Sequence, residues 1–283
     1  MQVREISPEE LDYSAMLCVD PGLSHKMRME MQAAMEVRKE WLKAMMGKGL
    51  GLSVALERTE DFLSSRRKMS KKIKELIIHG NVPEGLVEYL PIESALEPVK
   101  GEKSLFIDCV WVLPPFWHED VGRKLLERVV EKAKSYGGVS VLAYEGDKWF
   151  GYSFDYMPVS FFKKSGFKEV AQDGSRVLLH LDLGAGELPS LIYPKCKAIE
   201  KDDKAVMDIF YNSQCPWSGW MVDRIRQGMR RYDAVVNVVN TDDRKVIEKY
   251  GLSRGVCING VPVISRMTPW KEIEPIVKQL IKS

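Results

Sequence analysis

The sequence has little of what marks a membrane-spanning, disulfide-rich or metal-binding protein. No apolar run reaches the roughly 18 residues that a membrane-spanning helix needs, and no apolar run lies at the N-terminus, where a signal peptide would have one. The five cysteines are odd in number and widely spaced, so they predict no disulfide framework. Paired CxxC or HxxxH spacings are missing, so we expect no metal site. The expected compartment is the cytoplasm.

An excess of charge of one sign is also missing. The chain carries 42 Lys and Arg against 40 Asp and Glu, a formal net charge of +2. So weak a field gives no reason to expect a nucleic acid or an anionic membrane as partner. Residues 64–74 hold six basic side chains and no acid. A solvated helix face is the more usual explanation of such a stretch, and a phosphate-attracting patch is the alternative.

The 283 residues predict two domains, at about 100–200 residues each. The composition changes abruptly at residues 184–189 (GAGELP), where we place a linker between domains at residues 1–188 and 195–283. A methionine stripe in a helix at residues 23–47 is assigned to core packing, with an adaptable wall for an acceptor substrate as the alternative. The second domain has the predicted order βαβαββα, with Asn259-Gly260 as a type I′ hairpin turn.

One segment of the first domain predicts an anion site. Residues 105–126 (LFIDCVWVLPPFWHEDVGRKLL) indicate a buried strand, a polar loop and a helix that opens at Gly122. The first amides of a helix are unpaired and lie at the positive end of its dipole, so this start favours a pyrophosphate. Gly122 lets a ligand approach the backbone, and Arg123 and Lys124 add positive charge.

This segment resembles the acyl-CoA-binding motif of the GNAT superfamily of N-acyltransferases. Val112-Leu-Pro114 is similar to the family's V-x-P strand end, Gly122 to its last loop glycine, and residues 161–167 (FFKKSGF) to its F-Y-x-K-x-G-F signature. The resemblance covers about residues 1–183. It implies an α/β (α+β) fold with a mixed, splayed sheet that binds acetyl-CoA or another acyl-CoA in its split. The implied cofactor-binding residues are Val110, Trp111 and Val112 for the pantetheine arm, and His118, Glu119, Asp120, Val121, Gly122, Arg123 and Lys124 around the pyrophosphate.

Three positions differ from the family's pattern. Trp117 stands where the loop has Arg or Gln, Asp120 stands at its first glycine, and Phe162 replaces a Tyr that often serves as general acid. Asp120 and Glu119 have a second interpretation as acids that cap the helix. If they face the phosphates instead, they weaken the binding of CoA.

Acyl transfer to an amine needs a base with a pKa near 7 and an acid that gives a proton to the leaving thiolate. Asp108 lies where the family frequently has an acid and is the candidate base, acting through water; a hydrogen-bonded strand residue is the alternative. Tyr152 and Tyr156 precede the helix with the family's Tyr and are candidate acids, or else packed aromatics. Cys109 follows Asp108 on the strand, so we expect it to point to the opposite face, into the core.

The second domain has one cysteine at a helix start. In residues 209–221 (IFYNSQCPWSGWM) a strand ends and Cys215-Pro216 opens a helix, whose dipole would lower the pKa of the thiol. This looks like the active-site turn of the thioredoxin superfamily over about residues 195–283. Ser218 takes the place of the second cysteine, and Arg254 and Gly255 take the place of the cis-proline. Cys215 could still act as a monothiol that forms a mixed disulfide, with Cys257 as the resolving thiol if it lies nearby. The alternative is an inactive binding or dimerisation module.

The sequence therefore predicts a GNAT-type fold followed by a smaller thioredoxin-like βαβαββα domain. The first hypothesis is an N-acyltransferase (acetyltransferase) that moves a short acyl group from CoA to a primary amine on a small molecule or protein. The second is a degenerate CoA-binding or partner-binding protein. The third is a thiol-redox protein in which Cys215 engages a protein or thiol partner.

Overall fold

A computed structural model of the protein describes residues 1–19, 23–64, 74–146, 156–184, 187–197 and 204–281. Within these residues a large sheet forms the N-terminal unit and a smaller sheet the C-terminal unit. The strands of the N-terminal unit are β1 (Gln2–Glu5), β2 (Gly51–Arg58), β3 (Asn81–Pro91), β4 (Val99–Lys100), β5 (Leu105–Val112), β6 (Gly138–Tyr144), β7 (Lys168–Asp173), β8 (Arg176–Asp182) and β9 (Ser190–Leu191). Its helices are α1 (Asp12–Cys18), α2 (His25–Met46), α3 (Thr59–Ser64), α4 (Val121–Lys132) and α5 (Val159–Lys164).

The longest helix, α2, has the amphipathic pattern that its sequence predicts. It begins after Ser24, whose side chain accepts a hydrogen bond from the amide of Met27 at 3.2 Å, and it ends at Gly47. The side chains that it buries recur every three or four residues and are Met31, Met35, Arg38, Trp41, Leu42 and Met45. Methionines therefore pack in the interior, as the core interpretation of the stripe expects, but one arginine lies among them.

The large sheet has the strand order β1-β2-β3-β5-β6-β8-β7. Strands β5 and β6 run parallel, but their pairing stops after Ile107 with Val141, although both strands continue. On the other edge of β5, β3 pairs with Ile107 and Cys109 and skips Asp108, which is therefore a β-bulge. The split in the sheet begins at Asp108. This arrangement confirms the mixed, splayed α/β sheet that the sequence predicts.

The C-terminal unit packs helices against a four-stranded sheet of order β11-β10-β12-β13. Strand β10 is parallel to β11 and antiparallel to β12, and Asn259 and Gly260 make the turn between β12 and β13 with positive φ angles of 50° and 78°. The observed order is β10 (Ala205–Tyr211), α6 (Pro216–Met229), β11 (Ala234–Asn240), α7 (Arg244–Tyr250), β12 (Gly255–Ile258), β13 (Val261–Ile264) and α8 (Trp270–Leu280).

Two sequence-based expectations fall on residues that the structure does not describe. One is the basic stretch at residues 64–74, of which only Ser64 and Lys74 are described. The other is the candidate acid Tyr152. In the described part of the chain, no helix combines the length and the apolar character needed to cross a membrane.

Candidate functional site

The split in the sheet opens into a cleft of about 610 Å³ between the end of β5, the start of α4 and helix α5. The sequence predicts ten cofactor-binding residues, and eight of them line this cleft; Glu119 and Lys124 are not among its lining residues. The eight are Val110, Trp111, Val112, His118, Asp120, Val121, Gly122 and Arg123.

The loop before α4 is shaped by two residues in the left-handed backbone region. His118 has a φ angle of 66° and Asp120 a φ angle of 59°, and residues other than glycine seldom adopt this backbone conformation. The first backbone hydrogen bond of α4 runs from the amide of Lys124 to the carbonyl of Asp120 at 3.0 Å. The amides of residues 121–123 precede that bond and so have no acceptor within the helix. They form a helix N-terminus at the edge of the cleft, where an anionic group is favoured.

The acid at this helix start is neutralised by its neighbour. Asp120 stands at the N-cap position of α4 but makes no capping hydrogen bond through its side chain. Its carboxylate pairs with Arg123 at 3.3 Å, and this guanidinium, first by hydrogen bonding and then by its charge, lowers the pKa of Asp120. Arg123 also pairs with Glu127. The capping interpretation of the Asp120 side chain is therefore wrong, and part of the positive charge expected from Arg123 is already balanced.

The other two unusual positions have structural roles. The indole N–H of Trp117 donates a hydrogen bond to the carbonyl of Val112 at 2.8 Å, which ties the loop to the end of β5. Phe162 is fully buried and stacks edge-on with Phe161 and Phe167. Phe161 approaches Gly122 so closely that a Cβ there would lie 3.2 Å from its ring. Gly122 therefore lets α4 and α5 meet at the cleft.

Asp108 lies at the inner end of the split, in a small enclosed cavity. The cavity measures about 10 Å³, close to the minimum that one water molecule needs. Asp108 is only 4% exposed, and neither carboxylate oxygen has a hydrogen-bond partner among the described residues. Burial, and then the neighbouring Glu97 carboxylate, raise the pKa of Asp108 to about 8, although Arg254 opposes this rise. A carboxyl with a pKa near the working pH is suited to proton transfer.

Tyr156 joins this cavity to the cleft. Tyr156 and Met157 line both spaces, and the rings of Tyr156 and Tyr144 lie 5.6 Å apart. Burial raises the pKa of Tyr156 well above its ordinary value, so its hydroxyl keeps its proton at neutral pH. Of the candidate acids, the structure therefore places Tyr156 between the cleft and Asp108.

Around Asp108 lies a set of buried polar side chains that sequence reasoning did not select as site residues. We call it the polar cluster, and it consists of Arg38, Glu88, Glu97, Gln214 and Arg254. Arg38 pairs with Glu88, and Gln214 donates to the other oxygen of Glu88 at 2.7 Å. Arg254 pairs with Glu97 and donates to the side-chain oxygen of Gln214. Since Gln214 and Arg254 belong to the C-terminal unit, the cluster connects the two units.

The thiol of Cys215 differs from the expectation for a redox cysteine. Burial raises the pKa of Cys215. The charges of Arg254 and Arg38, and then a hydrogen bond from the amide of Trp217 at the helix start, lower this pKa, but burial outweighs them. Ser218 is fully buried, and its hydroxyl accepts a hydrogen bond from the amide of Asn212 at 3.4 Å. Cys109 is partly buried and packs against the hydrophobic core of the N-terminal unit, where burial, and then the charge of Glu88, raise the pKa of its thiol.

The expected role of Cys257 as a resolving thiol is wrong. Cys196 and Cys257 form a disulfide that spans 61 residues, with Cα atoms 6.4 Å apart, within the usual range for such a bond. Cys257 is therefore committed to Cys196 and does not resolve Cys215. This pairing could not be predicted from the sequence, because Cys196 lies in the connection between the units and Cys257 lies on β12.

Alkylation of the unfolded protein without reductant should therefore label three thiols, those of Cys18, Cys109 and Cys215. Reduction should lower the free energy of unfolding by about 4 kcal/mol for a loop of this length. Intact mass spectrometry and urea unfolding measure the two effects. A Cys196→Ser variant is the control, because reductant should no longer change its stability. Five labelled thiols in the unreduced protein would show that the bond does not form.

Comparison with known proteins agrees with this geometry. Residues 58–148 match the family described as "Acetyltransferase (GNAT) family", and this match spans β3, β5, α4 and β6. Residues 58–148 are therefore similar to a GNAT acetyltransferase domain.

The relatives also include N-acetyltransferases. The chain is 24% identical to the "Uncharacterized N-acetyltransferase YoaP" of Bacillus subtilis over 227 residues, 79% of this chain and 76% of that protein. Among solved structures it is similar to the PaiA N-acetyltransferase of Thermoplasma acidophilum in complex with coenzyme A (14% identity, 64% of this chain, 98% of that chain, TM-score 0.40). It is also similar to a GNAT family acetyltransferase of Brucella melitensis in complex with acetyl-CoA (17% identity, 68% and 94%, TM-score 0.37).

Proposed function

We propose that the protein is an acyl-CoA-dependent N-acyltransferase that moves an acetyl or other short acyl group to a primary amine. One observation carries the proposal: the cleft and the Asp108 cavity meet at Tyr156 and Met157, where the sheet splits. A donor in the cleft and an acceptor at the cavity would come together at this junction. The family match over residues 58–148 supports the same chemistry.

The residues of the cleft fit an acyl-CoA. Beyond Ile107, β5 has lost its β6 partner, so the backbone of residues 110–112 can pair with an extended pantetheine arm. The amides of residues 121–123 would hold the pyrophosphate. Bound in this way, the thioester supplies an activated acyl group. The cleft would hold its carbonyl near Tyr156 and exclude water from it.

The chain's own groups can carry the two proton transfers. Asp108 would accept a proton from the attacking amine, directly or through one water in the cavity. Tyr156, which keeps its proton at neutral pH, would donate to the departing thiolate. Asp108, Glu88 and Glu97 contribute three buried carboxyls, against two guanidiniums from Arg38 and Arg254. Once Asp108 ionises, the site has one carboxylate in excess, and this charge favours a cationic acceptor, such as the ammonium form of an amine.

We expect Gly122→Trp to weaken acetyl-CoA binding at least about tenfold, since its side chain would fill the cleft beside Phe161. Isothermal titration of acetyl-CoA and free CoA measures the effect, starting from a wild-type affinity in the micromolar range, about −8 kcal/mol. Gly219→Trp is the matched control, because a Cβ at Gly219 meets no atom within 4 Å. Equal affinity of wild type and Gly122→Trp would mean that the cleft is not the cofactor site.

For the C-terminal unit we propose a thioredoxin-like fold that has lost dithiol chemistry. Its role would be to bind the N-terminal unit and to complete the site around Asp108. Its strand order and directions and the position of Cys215 before Pro216 support that fold. The raised pKa of Cys215, the serine at position 218 and the Cys196–Cys257 bond argue against a redox role. If acetyl-CoA does not bind the wild-type protein, the partner-binding alternative becomes the better explanation for both units.

A further inference from the structure

Arg254 is held rigidly at the wall of the Asp108 cavity, although it belongs to the C-terminal unit. It is 3% exposed and lines the cavity together with Asp108 and Glu97. Its Nε donates to Asn212 at 3.2 Å, one terminal nitrogen pairs with Glu97, and the other donates to Gln214. All three nitrogens are therefore engaged, and the guanidinium has a fixed place.

Glu97 is held with equal precision from the C-terminal unit. One of its oxygens pairs with Arg254, and the other accepts a hydrogen bond from Ser253 at 2.6 Å. Neighbouring residues of the C-terminal unit thus fix both oxygens of an N-terminal carboxylate. Burying an ion pair is costly, and a well-packed apolar contact would dock the two units at least as stably. Docking alone therefore does not explain why charged groups were placed against Asp108.

From this arrangement we infer that the C-terminal unit is part of the catalytic site, with Arg254 as a positioning residue that keeps Asp108 able to ionise. The inference rests on the proposed acyl transfer. It gives the C-terminal unit a chemical task that the GNAT match over residues 58–148 does not contain.

The charged groups that face Asp108 come from several elements. Glu88 on β3 and Glu97 after β3 raise its pKa, whereas Arg38 on α2 and Arg254 lower it. Without Arg254, the cavity would keep its carboxyls with only one guanidinium, and Asp108 would stay protonated to a higher pH. A protonated Asp108 cannot accept the proton of the amine. Arg254 thus acts on the reaction through Asp108 and not by touching the substrate.

Two substitutions should move the ionisation of Asp108 in opposite directions. Arg254→Gln should move the rising limb of kcat/KM against pH, which lies near pH 8 in the wild type, upward by about one unit or more. Glu97→Gln should move it downward by a similar amount. Arg254→Lys keeps the charge and should restore much of the wild-type profile. A role in docking alone predicts lower activity in both neutral variants at every pH, with no opposite shifts.

Arg244→Gln is the matched control. Arg244 also reaches from the C-terminal unit into the N-terminal unit, where it donates to the carbonyls of Ala95, Glu97 and Val99, but it contacts no side chain of the polar cluster by a hydrogen bond and does not line the cavity. Its loss should loosen the contact between the units and leave the pH limb where it is. If Arg244→Gln shifts the limb as Arg254→Gln does, the effect comes from docking and the inference is wrong.

A readout without turnover separates this inference from the proposed function. The ¹³C chemical shift of the Asp108 carboxyl, assigned with Asp108→Asn, reports its titration in full-length protein. Its midpoint should move up in Arg254→Gln and down in Glu97→Gln. Midpoints that stay in place overturn the role of Arg254 even if transfer occurs. A wild-type protein whose Asp108 titrates as expected but that acylates no amine contradicts the proposed function instead.

Discussion

Asp108→Asn should lower kcat/KM for acyl transfer about 10²- to 10⁴-fold, the usual contribution of one general base. In the wild type the active, ionised form of Asp108 grows as the pH rises through about 8, so the rate should rise over the same range. The variant should lose this rise in rate and keep only the pH dependence that comes from ionisation of the acceptor amine itself. Initial rates measured from pH 6 to 10 with one amine and saturating acetyl-CoA test the prediction.

The same substitution should make the folded protein more stable at neutral pH. Below about pH 4 the carboxyl is protonated in both the folded and unfolded chains; between about pH 4 and 8 only the unfolded chain loses the proton. Wild-type stability should therefore fall over this range relative to that of the variant, as thermal unfolding would show. Asp61→Asn is the control, since Asp61 is exposed and paired with Arg58. An Asp108→Asn protein that keeps its activity and its pH limb would exclude Asp108 as the base.

A residue that costs stability and yet lies at the inner end of a split sheet is a strong functional candidate. The two properties come from one cause, because burial both destabilises the charged carboxylate and brings its pKa close to the pH at which the protein would work. The β-bulge is what places Asp108 there, since it removes this residue from the pairing of β5 with β3.

Local patterns in the sequence predict the elements that carry the cleft. The strand and the helix expected within residues 105–126 are β5 and α4, and α4 begins next to the predicted start at Gly122, because apolar periodicity determines both elements. The edge strand β7 was missed. Its sequence KEVAQD has no fully buried residue and no apolar alternation, so it is a strand only because β8 pairs with it.

The polar cluster could not be predicted in the same way. Glu97 and Arg254 are 157 residues apart in the chain and meet only when the two units dock. Neither has a motif around it, and Arg254 attracted notice only for standing where a proline was expected. One signal was available: Arg38 follows Met35 by three residues and precedes Leu42 by four, so it lies on the apolar stripe of α2. A charge on such a stripe indicates a buried partner, though not which one.

That partner is Glu88, and breaking the pair should have a large effect on stability. Both side chains are at most 1% exposed, so Arg38→Met would leave Glu88 charged in the interior. We expect the free energy of unfolding to fall by about 3–5 kcal/mol, as for other buried pairs that lose one member. Urea unfolding at pH 7 measures the change. Arg58→Met is the control: it breaks the exposed pair with Asp61 and should change the stability far less.

The double variant Arg38→Met/Glu88→Gln tests the reason for the loss. If the unpaired buried carboxylate of Glu88 causes the loss, its replacement by a neutral glutamine should restore more than half of the free energy of unfolding that Arg38→Met removes. The glutamine could still accept the hydrogen bond that Gln214 donates to Glu88. A double variant no more stable than Arg38→Met would show that the packing of the Arg38 stem and its bonds to Ser14 and the Gln214 carbonyl matter more than charge. In that case, the same charge argument for Arg254 would need the titration of Asp108 as its independent support.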